Sequence, residues 1–283
     1  MQDLIYIMWP TSFLIYTIVN MRHLYTFWAA VLLHPFHLES IAQSSIKPIF
    51  ENKPTWVECF PRQGAVDLTK WTFFTDSRNY PDCDFTDSIG NVYVKNGKLH
   101  IVATKNTKGG KKCSSGRIST IGKQSFLYGK IEVKAKAATG KGLCPAIWML
   151  MDNPKPIPFG EIDIMEYIEC FEGKQYCTTI HIVEQEPEKD EIRHKHSTMV
   201  DADIRKYHVY TLEWTPEALV FKLDGKTVYT LNKTEAEFWP FDHPYYLIMN
   251  VTYGNWGAKC GMDDNILPRE MVVDWVKYYR LIK

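Results

Sequence analysis

Three carboxylates lie close together in residues 160–167, which read GEIDIMEY. In a β-strand, side chains alternate between two faces, so Glu161 and Asp163 share one face and the intervening isoleucines occupy the other. Strict alternation would place Glu166 on the apolar face. A β-bulge at residues 164–165 would return Glu166 to the acidic face. The spacing therefore predicts a bulged strand with three carboxylates on one side.

Such a cluster has a definite chemical use. Neighbouring carboxylates raise one another's pKa values. Retaining hydrolysis of a glycosidic bond needs one ionised carboxylate as nucleophile and one protonated carboxyl as acid, about 5–5.5 Å apart. Glu161 and Glu166 fit these roles if their side chains lean together, and Asp163 could hold the charge state of the nucleophile. A solvated acidic face is the ordinary alternative, but the apolar residues 145–150 predict an adjacent core strand, which favours a half-buried cleft.

The elements that must position these acids are strands. From about Ser44 onward the apolar pattern has a period of two. Residues 91–104 predict a hairpin with its turn at Asn96-Gly97, and Asp224-Gly225 predicts another. Long amphipathic helical patterns are absent from the sequence. We therefore expect an all-β sandwich of two antiparallel sheets, formed as one domain by residues 44–283.

The first 43 residues differ from the rest. Two apolar runs flank Met21-Arg22-His23, and the segment ends at small residues. A basic start, a short apolar run and a small residue near the exit are typical of a secretory signal peptide. We expect a leader over residues 1–43, with the true start at Met21, and a secreted or periplasmic protein. A membrane anchor is the alternative, although each run is short or interrupted for a membrane span.

The composition of the chain limits the classes of molecule that it is expected to bind. The 283 residues carry a formal net charge of zero, so no basic excess indicates nucleic-acid binding. All seven cysteines follow the leader, and the spacing of Cys170 and Cys177 suggests a disulfide that staples a hairpin. Two triplets, beginning at Asn232 and Asn250, match the glycosylation pattern Asn-X-Thr.

The run Gly160–Glu166 resembles the active-site signature of glycoside hydrolase family 16, in its laminarinase-like branch with a bulged strand. The resemblance extends over essentially the whole chain after the leader. Eight further blocks match the family in order: residues 115–118, 128–136, 142–150, 179–181, 207–214, 241–247, 255–256 and 273–279.

This resemblance implies a concanavalin-like jelly roll with a sugar-binding cleft across its concave sheet. It implies that Glu161 is the nucleophile, Asp163 its electrostatic assistant and Glu166 the general acid/base. Further contacts with the sugar are expected from six side chains: Asn91, Arg117, Trp148, His181, Asn255 and Trp256. Of these, Trp148 is expected at the cleft floor and His181 near the acid/base. Packing in the core or an ordinary sheet position is the alternative for Trp148, His181 and Arg117.

The resemblance also bears on metals and on cleft shape. No cofactor is expected for catalysis. The family often carries a structural calcium away from the cleft, and its oxygen ligands would come from Glu58, the Gly97 carbonyl and Asp274. Cys144 stands where members of the family often have tryptophan. The loops 152–159 and 184–191 are expected to flank the cleft.

The expected function is that of a secreted, monomeric, retaining endo-β-glucanase without membrane contact after removal of the leader. Its substrate would be β-1,3-glucan or mixed-linkage β-1,3/1,4-glucan. An endo-galactanase of the agar or carrageenan type and a transglycosylase are alternatives on the same scaffold. A non-catalytic glucan-binding module is less well supported, because both glutamates are present.

Overall fold

The computed structural model describes residues 48–106, 110–153, 158–184 and 192–283. The expected leader lies outside the described residues, as do parts of the two loops expected to flank the cleft. Among the helices of the described residues, none is both long enough and apolar enough to cross a membrane.

The described part of the chain consists almost entirely of strands, and its helices are short 3₁₀ turns. The strands are β1 (Trp56–Glu58), β2 (Thr72–Phe73), β3 (Cys83–Phe85), β4 (Val92–Lys95), β5 (Lys98–Lys105), β6 (Cys113–Ser115), β7 (Arg117–Ser119), β8 (Gly129–Lys136), β9 (Leu143–Met151), β10 (Phe159–Glu166), β11 (Gln175–Glu184), β12 (Ile192–Asp201), β13 (His208–Trp214), β14 (Ala218–Leu223), β15 (Lys226–Asn232), β16 (Tyr245–Tyr253) and β17 (Arg269–Tyr279). The 3₁₀ helices are Glu169–Phe171, Lys233–Glu235, Asn255–Cys260 and Asp264–Ile266.

These strands form two sheets. A ten-stranded sheet has the order β15-β14-β13-β8-β17-β5-β6-β3, with β1 beside β17 and β4 beside β5. A seven-stranded sheet has the order β12-β11-β10-β9-β16-β7-β2. Strand pairing is antiparallel throughout the described residues, except between β3 and β6. The expected all-β sandwich of two sheets is confirmed.

Alternation along the strands builds the core between the sheets. In β8, Ile131, Val133 and Ala135 are buried while the charged residues between them are partly exposed. In β10, Ile162 and Ile164 are buried in the same core. Because side chains alternate, burial of these isoleucines directs Glu161 and Asp163 to the opposite face of the seven-stranded sheet.

The predicted disulfide between Cys170 and Cys177 is wrong. Cys170 is bonded to Cys260, and their Cα atoms are 5.5 Å apart. The bond joins the 3₁₀ helices Glu169–Phe171 and Asn255–Cys260, where the rings of Phe171 and Trp256 also pack edge to face. The close spacing in sequence suggested Cys177 as the partner of Cys170, but the tertiary structure places the distant Cys260 beside Cys170.

Candidate active site

The strand β10 contains the predicted bulge. Against β9, Asp163 lies opposite Trp148, whereas Met165 lies opposite Ile147, so one extra residue is inserted into β10. The register against β11 shifts over the same interval, between Asp163 and Glu166. A bulge of this kind changes which face the following residue occupies. The predicted re-aiming of Glu166 is therefore confirmed.

Glu161 and Glu166 line one concave pocket of about 150 Å³. Its floor comes from β9 and β16, and one wall comes from the start of the 3₁₀ helix Asn255–Cys260. The other lining residues are Tyr80, Cys144, Ala146, Trp148, Asn250, Thr252, Asn255 and Trp256. Both glutamates thus face the same space, in which a single glycosidic bond could contact each of them.

Asp163 lies between the two glutamates and is only 1% exposed. Burial raises its pKa well above the usual range, and the charge of Glu161 and a hydrogen bond with Glu161 raise it further. His181 Nε2 is 3.3 Å from Asp163 Oδ2. A protonated Asp163 can donate its hydrogen bond to the Glu161 carboxylate and so support an ionised nucleophile.

The pKa of Glu166 is also raised well above its usual value. Burial is the main cause, followed by the negative charges of Asp163 and Glu161, while the charges of His181 and Lys195 partly offset the rise. A carboxyl that stays protonated at neutral pH can act as a general acid. The environment of Glu166 therefore suits proton donation to a leaving oxygen.

The cleft floor is held by polar contacts around Trp148. Its indole Nε1 donates a hydrogen bond of 2.8 Å to Asn250 Oδ1, and Asn250 Nδ2 donates one of 3.0 Å to Thr252 Oγ1. The Arg117 guanidinium lies 4.7 Å from the Trp148 ring centroid, and Arg117 Nη1 donates to Tyr80 Oη at 3.0 Å. These contacts fix an aromatic ring beside the acids, where a sugar ring can stack.

Comparison with known proteins decides the family. The model of the glycosyl hydrolases family 16 matches residues 79–277. This chain belongs to glycoside hydrolase family 16. The resemblance inferred from the sequence is confirmed, and the chain is a glycoside hydrolase.

Individual similar proteins support the assignment of this chain to family 16. A β-glucanase of Rhodothermus marinus is 33% identical over 81% of this chain and 85% of the relative. The crystal structure of the laminarinase from Rhodothermus marinus superposes with a TM-score of 0.74 at 30% identity, covering 84% of this chain and all of that one. A keratan-sulfate endo-1,4-β-galactosidase of Sphingobacterium multivorum is 31% identical over 80% of this chain, which spans about half of that enzyme (54%).

The structure brings most of the predicted site residues of the family 16 enzyme together. Trp148, Asn255 and Trp256 line the pocket. His181 lies beside the acids: its Nε2 is 3.3 Å from Asp163 Oδ2, and its charge also acts on Glu166. Arg117 lies beside the floor, where its guanidinium is 4.7 Å from the Trp148 ring centroid and 4.4 Å from the Phe74 ring centroid.

Asn91 is not brought to the pocket. It is 3% exposed, and its amide nitrogen donates to the Val102 and Ser114 carbonyls and to Thr104 Oγ1. Thr86 Oγ1 donates to its side-chain oxygen. With both ends of the amide in use, Asn91 ties β5 to β6 and is not part of the sugar-contacting set.

Sequence reasoning missed several pocket residues, among them Tyr80, Ala146, Asn250 and Thr252. Asn250 was noted only as the start of a formal glycosylation triplet, but its side chain is buried and hydrogen-bonded to Trp148 and Thr252, so it is not accessible for glycosylation. The alternation of β16 would have placed Asn250 and Thr252 on one face, but no spacing reveals that β16 lies beside β9.

The predicted calcium ligands do not fit a calcium ion. Asp274 Oδ1 and Oδ2 lie 3.0 and 2.9 Å from the ammonium groups of Lys98 and Lys134. Glu58 accepts from the Phe60 backbone N–H and pairs with Lys70. Calcium requires six to eight oxygen ligands with net negative charge. Because lysine ammonium groups already neutralise both carboxylates, the prediction of a calcium site at Glu58, Gly97 and Asp274 is withdrawn.

Proposed function

We propose that this family 16 enzyme is a retaining endo-β-glucanase that hydrolyses β-1,3-glucan or mixed-linkage β-1,3/1,4-glucan. One observation carries the proposal: the bulge in β10 directs Glu161 and Glu166 into the same pocket. The names of the similar proteins, a β-glucanase and a laminarinase, support the substrate class.

In the first step, the Glu161 carboxylate attacks the anomeric carbon while Glu166 donates its proton to the departing glycosidic oxygen. The product is a covalent glycosyl-enzyme with inverted configuration. In the second step, Glu166, now ionised, takes a proton from water as that water attacks the same carbon and releases Glu161. Two inversions give net retention. Asp163 holds the hydrogen bond to Glu161 in both steps.

The pocket explains how the substrate is placed. Trp148 forms part of the floor and Trp256 part of the wall, so the chain of sugars can pack its apolar ring faces on aromatic surfaces. The amide of Asn255 is exposed at the rim and can bond sugar hydroxyls. Cys144 and Ala146 are small, which leaves open space next to Glu166.

A digestion panel tests the proposal. Purified enzyme is incubated with laminarin, barley mixed-linkage glucan, xyloglucan and agarose, and the products are separated by size. We expect short oligosaccharides from laminarin and from mixed-linkage glucan, and none with the Glu161→Ala variant. Release from agarose alone would instead identify a galactanase.

The galactanase alternative has one observation in its favour, the relative that cleaves keratan sulfate. Transglycosylation differs only in whether a sugar or water accepts the glycosyl group. Mass spectrometry of a laminarin digest containing a labelled acceptor oligosaccharide separates these outcomes, because a transglycosylase extends the label. The hydrolase account predicts unlabelled products in large excess.

We also propose that the enzyme is secreted or periplasmic and works as a monomer. The leader-like residues 1–43 support export. The bond between Cys170 and Cys260 is of a kind that persists in oxidising compartments. Secretion of an epitope-tagged full chain, detected in the medium or periplasm, tests the location.

A further inference from the structure

Two cysteines outside the active site lie directly opposite each other. Cys83 of β3 and Cys113 of β6 are register partners in the parallel pairing of these strands. Both side chains are completely buried. The described residues contain three other unbonded cysteines. Cys59 is exposed, whereas Cys144 and Cys177 are buried.

The geometry permits a covalent bond between the two thiols. Neighbouring strands are about 4.8 Å apart, which is within the Cα separation of about 4.4–6.8 Å that disulfides span. Register partners project to the same side of a sheet. The two thiols also influence each other's titration: the neighbouring Cys113 thiol lowers the pKa of Cys83, and the neighbouring Cys83 thiol raises the pKa of Cys113.

We propose that Cys83 and Cys113 form a second disulfide bond, which fastens the wall of the catalytic cleft. This proposal rests on the proposed export of the enzyme to an oxidising compartment. The oxidant is a disulfide, either of a thiol oxidoreductase or of a small molecule such as oxidised glutathione.

The Cys83 thiolate attacks one sulfur of the oxidant disulfide, and the other sulfur leaves as a thiolate. The Cys113 thiol loses its proton and attacks the Cys83 sulfur of the mixed disulfide, which releases the second oxidant thiolate. Two electrons pass to the oxidant, two protons leave the protein thiols, and the new Cys83–Cys113 bond forms.

Burial sets when the bond can form and how it resists reduction. Exchange needs direct access to sulfur, so bond formation precedes the docking of β3 on β6. Once the strands have docked, an external reductant cannot reach either sulfur. Cys170, by contrast, is exposed, so its bond to Cys260 should be reduced first.

The segment from Tyr80 to Cys83, which the proposed bond would anchor, forms part of the cleft. The backbone N–H of Cys83 donates to the Tyr80 carbonyl, and that of Cys113 donates to the Asp82 carbonyl. Tyr80 lines the pocket, and its hydroxyl accepts the hydrogen bond from Arg117 that supports the floor. A bond at Cys83 therefore anchors the segment that carries Tyr80.

Peptide mapping tests the proposal. Full-length enzyme, produced through an oxidising secretory route and shown by circular dichroism to be folded, is denatured in N-ethylmaleimide and digested without reduction. We expect a linked peptide pair containing Cys83 and Cys113, with Cys59, Cys144 and Cys177 alkylated. Recovery of Cys83 and Cys113 as alkylated peptides, or with other partners, overturns the proposal whatever the state of Cys170. Failure of the glucan digestion leaves this result unaffected, so the two proposals fail separately.

A second measurement uses the difference in exposure. Mild dithiothreitol treatment of the folded enzyme should free Cys170 and Cys260 while the Cys83–Cys113 pair stays oxidised. The Cys83→Ser/Cys113→Ser double variant should melt about 5–10 °C below the wild type, and Cys59→Ser, the matched control, should melt at the wild-type temperature. Equal melting of the double variant and the wild type contradicts the bond.

Discussion

Two carboxylate sites of this enzyme have opposite electrostatics. On β10, Asp163 and Glu166 have raised pKa values, mainly because they are buried and close to other acids. On β17, burial raises the pKa of Asp274, but hydrogen bonds and charges from Lys134 and Lys98 outweigh it and leave the pKa lowered. An aspartate thus has a raised pKa on β10 and a lowered pKa on β17.

This difference in pKa indicates which of the two sites takes part in catalysis. The carboxylate of Asp274 is neutralised by two lysines, so its interaction contributes to stability and leaves no proton to transfer. Within the part of the chain that the structure describes, the positive charges that act on the acids of β10 come from His181 and the exposed Lys195. Keeping such acids together costs stability and is typical of active sites.

The largest effect is expected from Glu166→Gln, which removes the proton donor but keeps the shape. Activity on laminarin should fall about 10²–10⁴-fold. In the wild type, activity should decline as pH rises through the raised pKa of Glu166, because the ionised form cannot donate. The variant should lack this alkaline decline.

The matched control is Glu213→Gln, since Glu213 pairs with Lys222 on the ten-stranded sheet, away from the pocket. Its pH profile and rate should equal those of the wild type. Retention of the alkaline decline by Glu166→Gln would identify a different general acid.

A smaller loss is expected at Asp163, which acts through Glu161 and is a positioning residue. Asp163→Ala removes its hydrogen bonds to charged partners and should lower kcat about 10²-fold, with little change in KM. Asp163→Asn keeps a donor and an acceptor and should lose less than about 10-fold. Steady-state kinetics of both variants, with the exposed Asp201→Ala as control, checks this. Equal losses in the two variants would mean that Asp163 only fills space.

Asp274→Asn should change stability and leave activity unaltered. Loss of two partly exposed ion pairs should lower the free energy of unfolding by about 0.5–1 kcal/mol at pH 7. Because the folded pKa is below the usual 3.8, this stabilisation is present above pH 3.8 and disappears as pH falls through the folded pKa. Urea titrations at pH 7 and pH 3 measure it.

Urea titrations also test whether calcium binds at Asp274. Dialysis against EDTA should leave the urea midpoint unchanged, because lysines occupy the predicted ligands. A calcium-dependent increase in stability that Asp274→Asn abolishes would restore the metal site.

The smallest effect concerns Lys195, which lies opposite His181 at the sheet edge. Its charge lowers the pKa values of Asp163 and Glu166, so Lys195→Met should move the alkaline decline to higher pH. The shift should shrink in high salt, because exposed charges are screened. Lys174→Met, an exposed lysine paired with Glu172, should cause no shift. A shift to lower pH would contradict the sign.

The sequence predicted the local features of this enzyme well. The bulge in β10 follows from parity, because Glu161 and Glu166 can share a face only if one residue is added between them. The buried face of β8 follows from alternation in the same way. Such features depend only on residues that are neighbours in the sequence, so they can be predicted from the sequence alone.

Features that depend on distant strands were not predictable. Cys170 found its partner in a 3₁₀ helix far along the chain, and Asn250 joined the cleft because β16 pairs with β9. Asp274 resembled a calcium ligand until Lys98 and Lys134 were placed beside it. Spacing in sequence does not specify these contacts, because packing of the two sheets determines them.

The stereochemistry of azide rescue tests the division of roles most directly. Glu161→Ala and Glu166→Ala are each given an aryl β-laminarioligosaccharide with a good leaving group, in the presence of sodium azide, and the glycosyl azides are examined by ¹H NMR. The account predicts the α-azide from Glu161→Ala, since azide replaces the nucleophile, and the β-azide from Glu166→Ala, since azide attacks the glycosyl-enzyme. The reverse pair of anomers would contradict the assignment of nucleophile and acid/base.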